Sequence, residues 1–161
     1  MMAQPIRRIL VATDFSEYSR RAMQYALSLA ERMGASIDLL HVWEPPPHLE
    51  SESLVLVPGE PGVPLESSGL AQAGRLLEAW SEHYHSDSVP LRLHLERGPA
   101  ADTILRVSNT GYDLVVMGTH GRTGLARLFM GSVSQKVVAR ATCPVLTVHG
   151  MEEEQEALPV G

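Results

Sequence analysis

Apolar residues along the chain keep two rhythms, one of short unbroken runs and one of helical spacing, and the two alternate. Ile9-Leu10-Val11-Ala12 is a continuous apolar run, the pattern of a strand buried on both faces. It stops at Thr13-Asp14-Phe15-Ser16, where Ser16 is placed to cap a helix and Glu17 suits its first turn. Ala22, Ala26, Leu29, Ala30 and Met33 then recur at helical spacing, and Gly34 is placed to end that helix. A second strand is predicted over residues 36–42. Further on, the spacing predicts a helix from about Gly69 to His85, a strand over 91–96 and a helix over 99–109 that Gly111 closes. A buried strand over 113–117, a helix over 132–140 and a fifth strand over 145–148 complete the series. Strands alternating with helices define an α/β class. The expected fold is a doubly wound sheet of five parallel strands with four helices, a Rossmann-type three-layer sandwich.

Two stretches break the pattern. Residues 44–68 hold six of the eleven prolines together with Gly59, Gly62 and several glutamates. Proline removes ladder donors and blocks helix interiors, so this is expected to be a long excursion, either a linker or a lid or partner-binding loop. Leu54 to Val57 is the one candidate for a short edge strand inside it. Residues 150–161 form an acidic tail with too little apolar content to pack, which leaves 1–149 as the domain.

Composition narrows the function. The 161 residues carry a formal net charge of −6, which repels a phosphate backbone and argues against nucleic-acid partners. A small anionic ligand stays compatible, because a few backbone N–H groups bind one within an acidic protein. Cys143 is the single cysteine, so no disulfide forms within the chain, and ahead of Pro144 it reads as a small core residue rather than a nucleophile. The apolar run after the first eight residues is too short for a secretion signal, and no stretch has the length of a membrane span. The expectation is a cytoplasmic protein without membrane contact.

Chemistry concentrates after the fourth strand. Gly118 and Gly121 let the backbone turn and approach a ligand, and Gly131-Ser132 opens a helix whose unsatisfied N–H groups suit a phosphate. Ser132 and Ser134 add hydroxyls, Arg122 and Arg127 add charge, and His120 is either a phosphate contact or an exposed loop residue. A glycine-rich connection of this kind also occurs without any ligand. Against that stands Asp14, which ends the first strand at the same edge of the sheet and suits the hydroxyls of a ribose. Taken alone, Asp14 would read as a turn aspartate. His83 and His85, two apart on the predicted helix, point to different faces and make poor metal partners. No Gly-x4-Gly-Lys-Ser/Thr loop and no Gly-x-Gly-x-x-Gly turn occurs.

Val11-Ala12-Thr13-Asp14-Phe15-Ser16, Leu40-His41-Val42 and the spacing Gly118-x2-Gly121-x9-Gly131-Ser132 together resemble the universal stress protein family in its ATP-binding branch. The likeness runs over roughly residues 5 to 149. It implies an adenine-nucleotide-hydrolase-like fold and ATP held by Ala12, Thr13 and Asp14, by Val42 at the adenine, and by Met117, Gly118, Gly121 and Arg122. Gly131, Ser132, Val133 and Ser134 would take the phosphates, with Mg2+ carried by those phosphates rather than by protein ligands. The resemblance also implies a homodimer and a role in stress adaptation or in regulating other proteins. The residues point to the same dimer: a final strand 145–148 at a sheet edge, uncharged along its length, is an unprotected pairing surface. Two other functions remain open at this point, a slow ATPase on the same cradle and a ligand-free interaction module.

Overall fold

A computed structural model describes residues 3–47, 53–56, 58–59, 61–121 and 130–150. Strand β1 (Arg8–Thr13) leads through helix α1 (Glu17–Met33) to β2 (Ser36–Trp43). Ser16 caps α1 by accepting the Ser19 N–H at 3.3 Å, and Gly34 ends it in the left-handed conformation that a side chain would oppose. After a two-stranded hairpin, β3 (Leu54–Val55) and β4 (Val63–Pro64), come α2 (Leu65–Ser81) and a 3-10 turn (Glu82–Tyr84). The chain then runs through β5 (Leu91–Arg97), α3 (Ala100–Ser108), β6 (Leu114–Gly118), α4 (Ser132–Arg140) and β7 (Val145–Val148).

Five strands form one parallel sheet in the order β5-β2-β1-β6-β7. Consecutive strands step outward from β1 in one direction and then, after β5, in the other. The order therefore reverses between β1 and β6, and there the carboxyl ends of the strands leave a crevice. Helices α1 and α2 cover one face and α3 and α4 the other. Each face has its own buried cluster: Ile9, Val11, Ile37, Leu39, Val116 and the α1 alanines on one side, Leu10, Leu40, Val115, Ile104 and Val137 on the other. Both faces of β1 and β6 are covered, which is why those strands read as unbroken apolar runs; β2 is covered too, but Asp38 and His41 interrupt its run.

The structure differs from the sequence expectation in the Pro-rich region. Helix α2 begins at Leu65, four residues before the predicted start, so the excursion is shorter and its end is helical. Gly69 sits inside that helix rather than at its boundary, because the Trp43 ring packs where a side chain would stand. Leu54-Val55 does form a strand, but it pairs with Val63-Pro64 and not with the main sheet; Val57 lies outside the described residues. His83 falls in the 3-10 turn and His85 beyond it, 3.2 Å from the Asp87 carboxylate. Cys143 is half-buried against the α3–α4 cluster, and burial pushes its thiol pKa up. The tail after Gly150 is outside the described residues. Among those that are described, no helix is long and apolar enough to cross a membrane.

One buried charge ties the amino ends of the strands together. Asp38, 1% exposed, accepts from the Tyr112 hydroxyl at 2.6 Å, Arg92 Nε at 2.8 Å and Arg8 Nη2 at 3.1 Å. Burial opposes its ionisation, but these hydrogen bonds outweigh burial and hold the carboxyl below its ordinary pKa. The Tyr112 phenol, buried and donating to that carboxylate, is pushed up to about 12. The cluster links β1, β2, β5 and the residues before β6 at the end of the sheet opposite the crevice.

Candidate functional site

The crevice at the reversal is a cleft with an apolar wall and a polar end. Of the thirteen residues singled out above, twelve line it: Ala12, Thr13, Asp14, Val42, Met117, Gly118, His120, Gly121, Gly131, Ser132, Val133 and Ser134. Arg122 lies outside the described residues, as does Arg127. Three elements deliver the set. β1 ends in the Thr13–Ser16 turn, β2 contributes Val42, and the β6–α4 connection brings both ends of the glycine motif together.

The base of that connection is pinned. Gly131 N–H donates to the Thr119 carbonyl at 2.6 Å, and Ser134 Oγ donates to the same oxygen at 2.6 Å. Thr119 is itself fully buried, with its N–H on the Val148 carbonyl at 3.0 Å. A side chain on Gly131 would have its Cβ 3.3 Å from the Thr119 carbonyl oxygen. A side chain here would crowd the backbone across the loop base. Ser134 lines the cleft, but its one hydroxyl proton already serves the loop, which leaves its backbone N–H as the group to offer an anion.

Helix α4 supplies the polar end. Its N-cap, Gly131, has no side chain to satisfy the first N–H groups, and no acidic residue stands in the first turn. Those N–H groups and the positive end of the helix dipole face the cleft at Ser132, Val133 and Ser134. Helix α3, which also reaches the cleft, already has an acceptor at its start. The Glu44 carboxylate accepts from Ala100 N–H at its start, and Asp102 occupies its first turn. An anion is therefore favoured at the α4 end.

Asp14 divides its carboxylate. Oδ1 accepts from Ser19 Oγ at 2.6 Å and from the Ser16 N–H at 3.0 Å, the bonds of a turn aspartate. Oδ2 faces the loop: a Cβ on Gly121 would come within 2.8 Å of it. The turn reading of this residue is met at Oδ1, and the same residue lines the cleft. Gly118 lines the cleft and also makes room for α1. Its absent Cβ would collide with Tyr18, 2.6 Å from Cβ and 2.9 Å from the backbone carbon, so this glycine lets β6 and α1 close on each other.

Four lining residues were not singled out from the sequence: Ser19, Leu40, Ala100 and Ile104. Leu40 shares a strand face with Val42 and was within reach of the period-two rule. Ala100 and Ile104 lie four apart on α3, one turn of helix, and form the wall opposite β2. Nothing local marks them, because α3 follows β5, whose own loop is not at the reversal. Among the described residues no group of three or more His, Cys, Asp or Glu side chains could hold a metal.

A doubly wound parallel sheet with its cleft at the reversal point places the protein among Rossmann-like α/β proteins. The chain belongs to the universal stress protein family, whose family model matches residues 5–149. It is 34% identical over 144 residues to a universal stress protein of Thermus aquaticus, covering 88% of this chain and 98% of that protein. To one of Methanocaldococcus jannaschii it is 30% identical over 156 residues, covering 92% and 85%. Solved structures agree on the fold. A universal stress protein in complex with cAMP has a TM-score of 0.66 at 21% identity, covering 91% of this chain and 98% of that one. A family member from Arabidopsis thaliana with AMP bound has a TM-score of 0.62 at 23% identity, covering 94% and 96%.

Proposed function

We propose that the protein is an ATP-binding regulatory protein. The observation that carries this reading is the uncapped start of α4 at the polar end of a cleft whose other wall is apolar. A nucleotide has the matching polarity. Its base would lie against Val42, Leu40, Met117 and Ile104, its ribose hydroxyls would reach the Asp14 carboxylate, and its phosphates would meet the N–H groups of Ser132, Val133 and Ser134. Gly121, His120 and Arg122 would complete the phosphate end. The cAMP and AMP held by the two structural relatives support an adenine nucleotide. Mg2+ would ride on the phosphates, since Asp14 is the only carboxylate among the described residues that line the cleft and its Oδ1 is engaged in the turn.

The reading is binding rather than turnover. Phosphoryl transfer needs a protein-held metal and a group that orients the attacking water, and the lining residues supply neither. Hydrolysis is expected to stay below about 1 s⁻¹, the lower end of ordinary enzyme rates. The protein would act in the cytoplasm as a homodimer, with ATP occupancy as its signal to a protein partner. The test is direct: denature freshly purified protein, analyse the released small molecules, then titrate the emptied protein with ATP and AMP by calorimetry. Absence of co-purified nucleotide together with no heat of binding at millimolar ATP would overturn the reading.

A further inference from the structure

Two energetically unfavourable features meet beside the cleft. Phe15 has φ of 65° and is the only non-glycine residue with positive φ among the described residues. A bulky side chain is disfavoured there, and glycine would be the relaxed choice. Trp80 Nε1, on α2, is buried and finds no hydrogen-bond partner among the described residues, which also has a cost. The two rings touch edge to face, with centroids 6.0 Å apart and planes at 71°. Phe15 also packs on His41 at 4.4 Å, and His41 Nδ1 lies 2.8 Å from the Thr13 carbonyl oxygen. Beyond Trp80 the stack continues to Tyr84 at 4.6 Å. Strained positions of this kind persist where the surrounding structure over-determines them, and they cluster at ligand clamps.

The turn that contains Phe15 is the one that presents Asp14. Phe15 N–H donates to Thr13 Oγ1 at 3.0 Å, Asp14 N–H to Ser19 Oγ at 3.1 Å, and Ser16 N–H to Asp14 Oδ1 at 3.0 Å. Three successive N–H groups are thus satisfied by side chains of the turn and of the first turn of α1, with residue 15 left-handed at its centre. We propose that Phe15 is a positioning residue: its ring, held between His41 and Trp80, locks the left-handed turn that aims Asp14 into the cleft, and so couples occupancy of the cleft to the packing of α2. The proposal rests on the nucleotide reading of the cleft and adds its transmission route. Because α2 continues from the 44–64 segment through the β4 hairpin strand, nucleotide binding is read out on that side of the molecule.

The two tryptophans make the coupling measurable. In a Trp43→Phe background Trp80 is the sole indole. Its emission should shift during an ATP titration with the midpoint that calorimetry gives. Adding Phe15→Gly relaxes the backbone and removes the ring. It should leave far-UV dichroism unchanged, weaken ATP about tenfold through the freedom glycine returns to the turn, and abolish the Trp80 response. Phe15→Tyr should restore both. If the glycine variant fails to fold, Phe15→Leu, which keeps apolar bulk without a ring, should show the same muted response and weaker binding. ATP affinity within twofold of wild type in these variants, or unchanged Trp80 emission across a titration that calorimetry shows to saturate, overturns the proposal and leaves the nucleotide reading standing. No calorimetric binding of ATP or AMP by the wild-type chain overturns the nucleotide reading and this proposal with it.

Discussion

Replacing Gly121 with alanine adds one methyl group, and the structure says what that methyl meets. It arrives 2.8 Å from Asp14 Oδ2, closer than carbon and oxygen sit in folded proteins. The carboxylate is not free to swing aside, because Oδ1 is held by Ser19 Oγ at 2.6 Å and by the Ser16 N–H at 3.0 Å. Two reliefs remain. Either Asp14 rotates and loses hydrogen bonds to a charged group, a cost of about 1.5–3 kcal/mol, or the Gly121 backbone backs away and removes the phosphate side of the cleft from its place. Both spoil the proposed ligand geometry, and a loss of about 1.5–3 kcal/mol corresponds to roughly 10- to 150-fold in affinity. Calorimetry with ATP measures the loss. Thermal melting separates the reliefs, since only rotation of Asp14 also lowers the stability of the ligand-free protein. The decisive comparison repeats Gly121→Ala in an Asp14→Ala background, where the collision no longer exists. There the methyl should cost less than twofold. An equal cost in both backgrounds, or unchanged affinity for the single variant, would refute the contact between this glycine and this carboxylate as the reason glycine stands at 121.

Two further outcomes follow from the fold. Tyr112→Phe removes a 2.6 Å hydrogen bond to a buried carboxylate and should destabilise by about 1.5–3 kcal/mol, read as a melting point lower by about 3–12 °C for a chain of this size. The same cluster sets the acid limb of stability. Asp38 is held below its ordinary value of 3.8 in the folded state, so its contribution is complete above that value and is lost as pH falls through the lower folded pKa. Urea midpoints of Tyr112→Phe and wild type should therefore converge as pH falls below 3.8, and a gap undiminished at the lowest pH that still supports folding would contradict this. For assembly, β7 lies at the sheet edge with only β6 beside it among the described residues. The Pro144 and Val148 carbonyls face β6, so by the alternation of a strand the Thr147 N–H faces the open edge. Thr147→Pro, which removes that edge donor, should convert a dimer seen by light scattering into a monomer, and a wild type that is monomeric at tens of micromolar would refute that edge as the interface.

The sequence alone settled whatever depends on local periodicity. β1 and β6 are covered on both faces, so their apolar runs were unambiguous, and Ser16 and Gly34 marked the ends of α1 within a residue. The glycine spacing and Asp14 were legible because a strand–loop–helix connection is contiguous in the chain. What each glycine does was not legible. Gly118 makes room for Tyr18, Gly121 for Asp14 and Gly131 for the Thr119 carbonyl; the first two partners lie about a hundred residues away, and the third across a loop whose closure the spacing does not reveal. The start of α2 was placed four residues late, at Gly69, and what Gly69 does inside the helix, leaving space for the Trp43 ring, depends on a distant strand. Ala100 and Ile104 joined the cleft only because strand order places α3 across from β2, a matter of non-local pairing. The left-handed Phe15 lies furthest from sequence reasoning. Its local preference opposes the conformation it adopts, and only contacts with His41 and Trp80, from two other elements of the fold, hold it there.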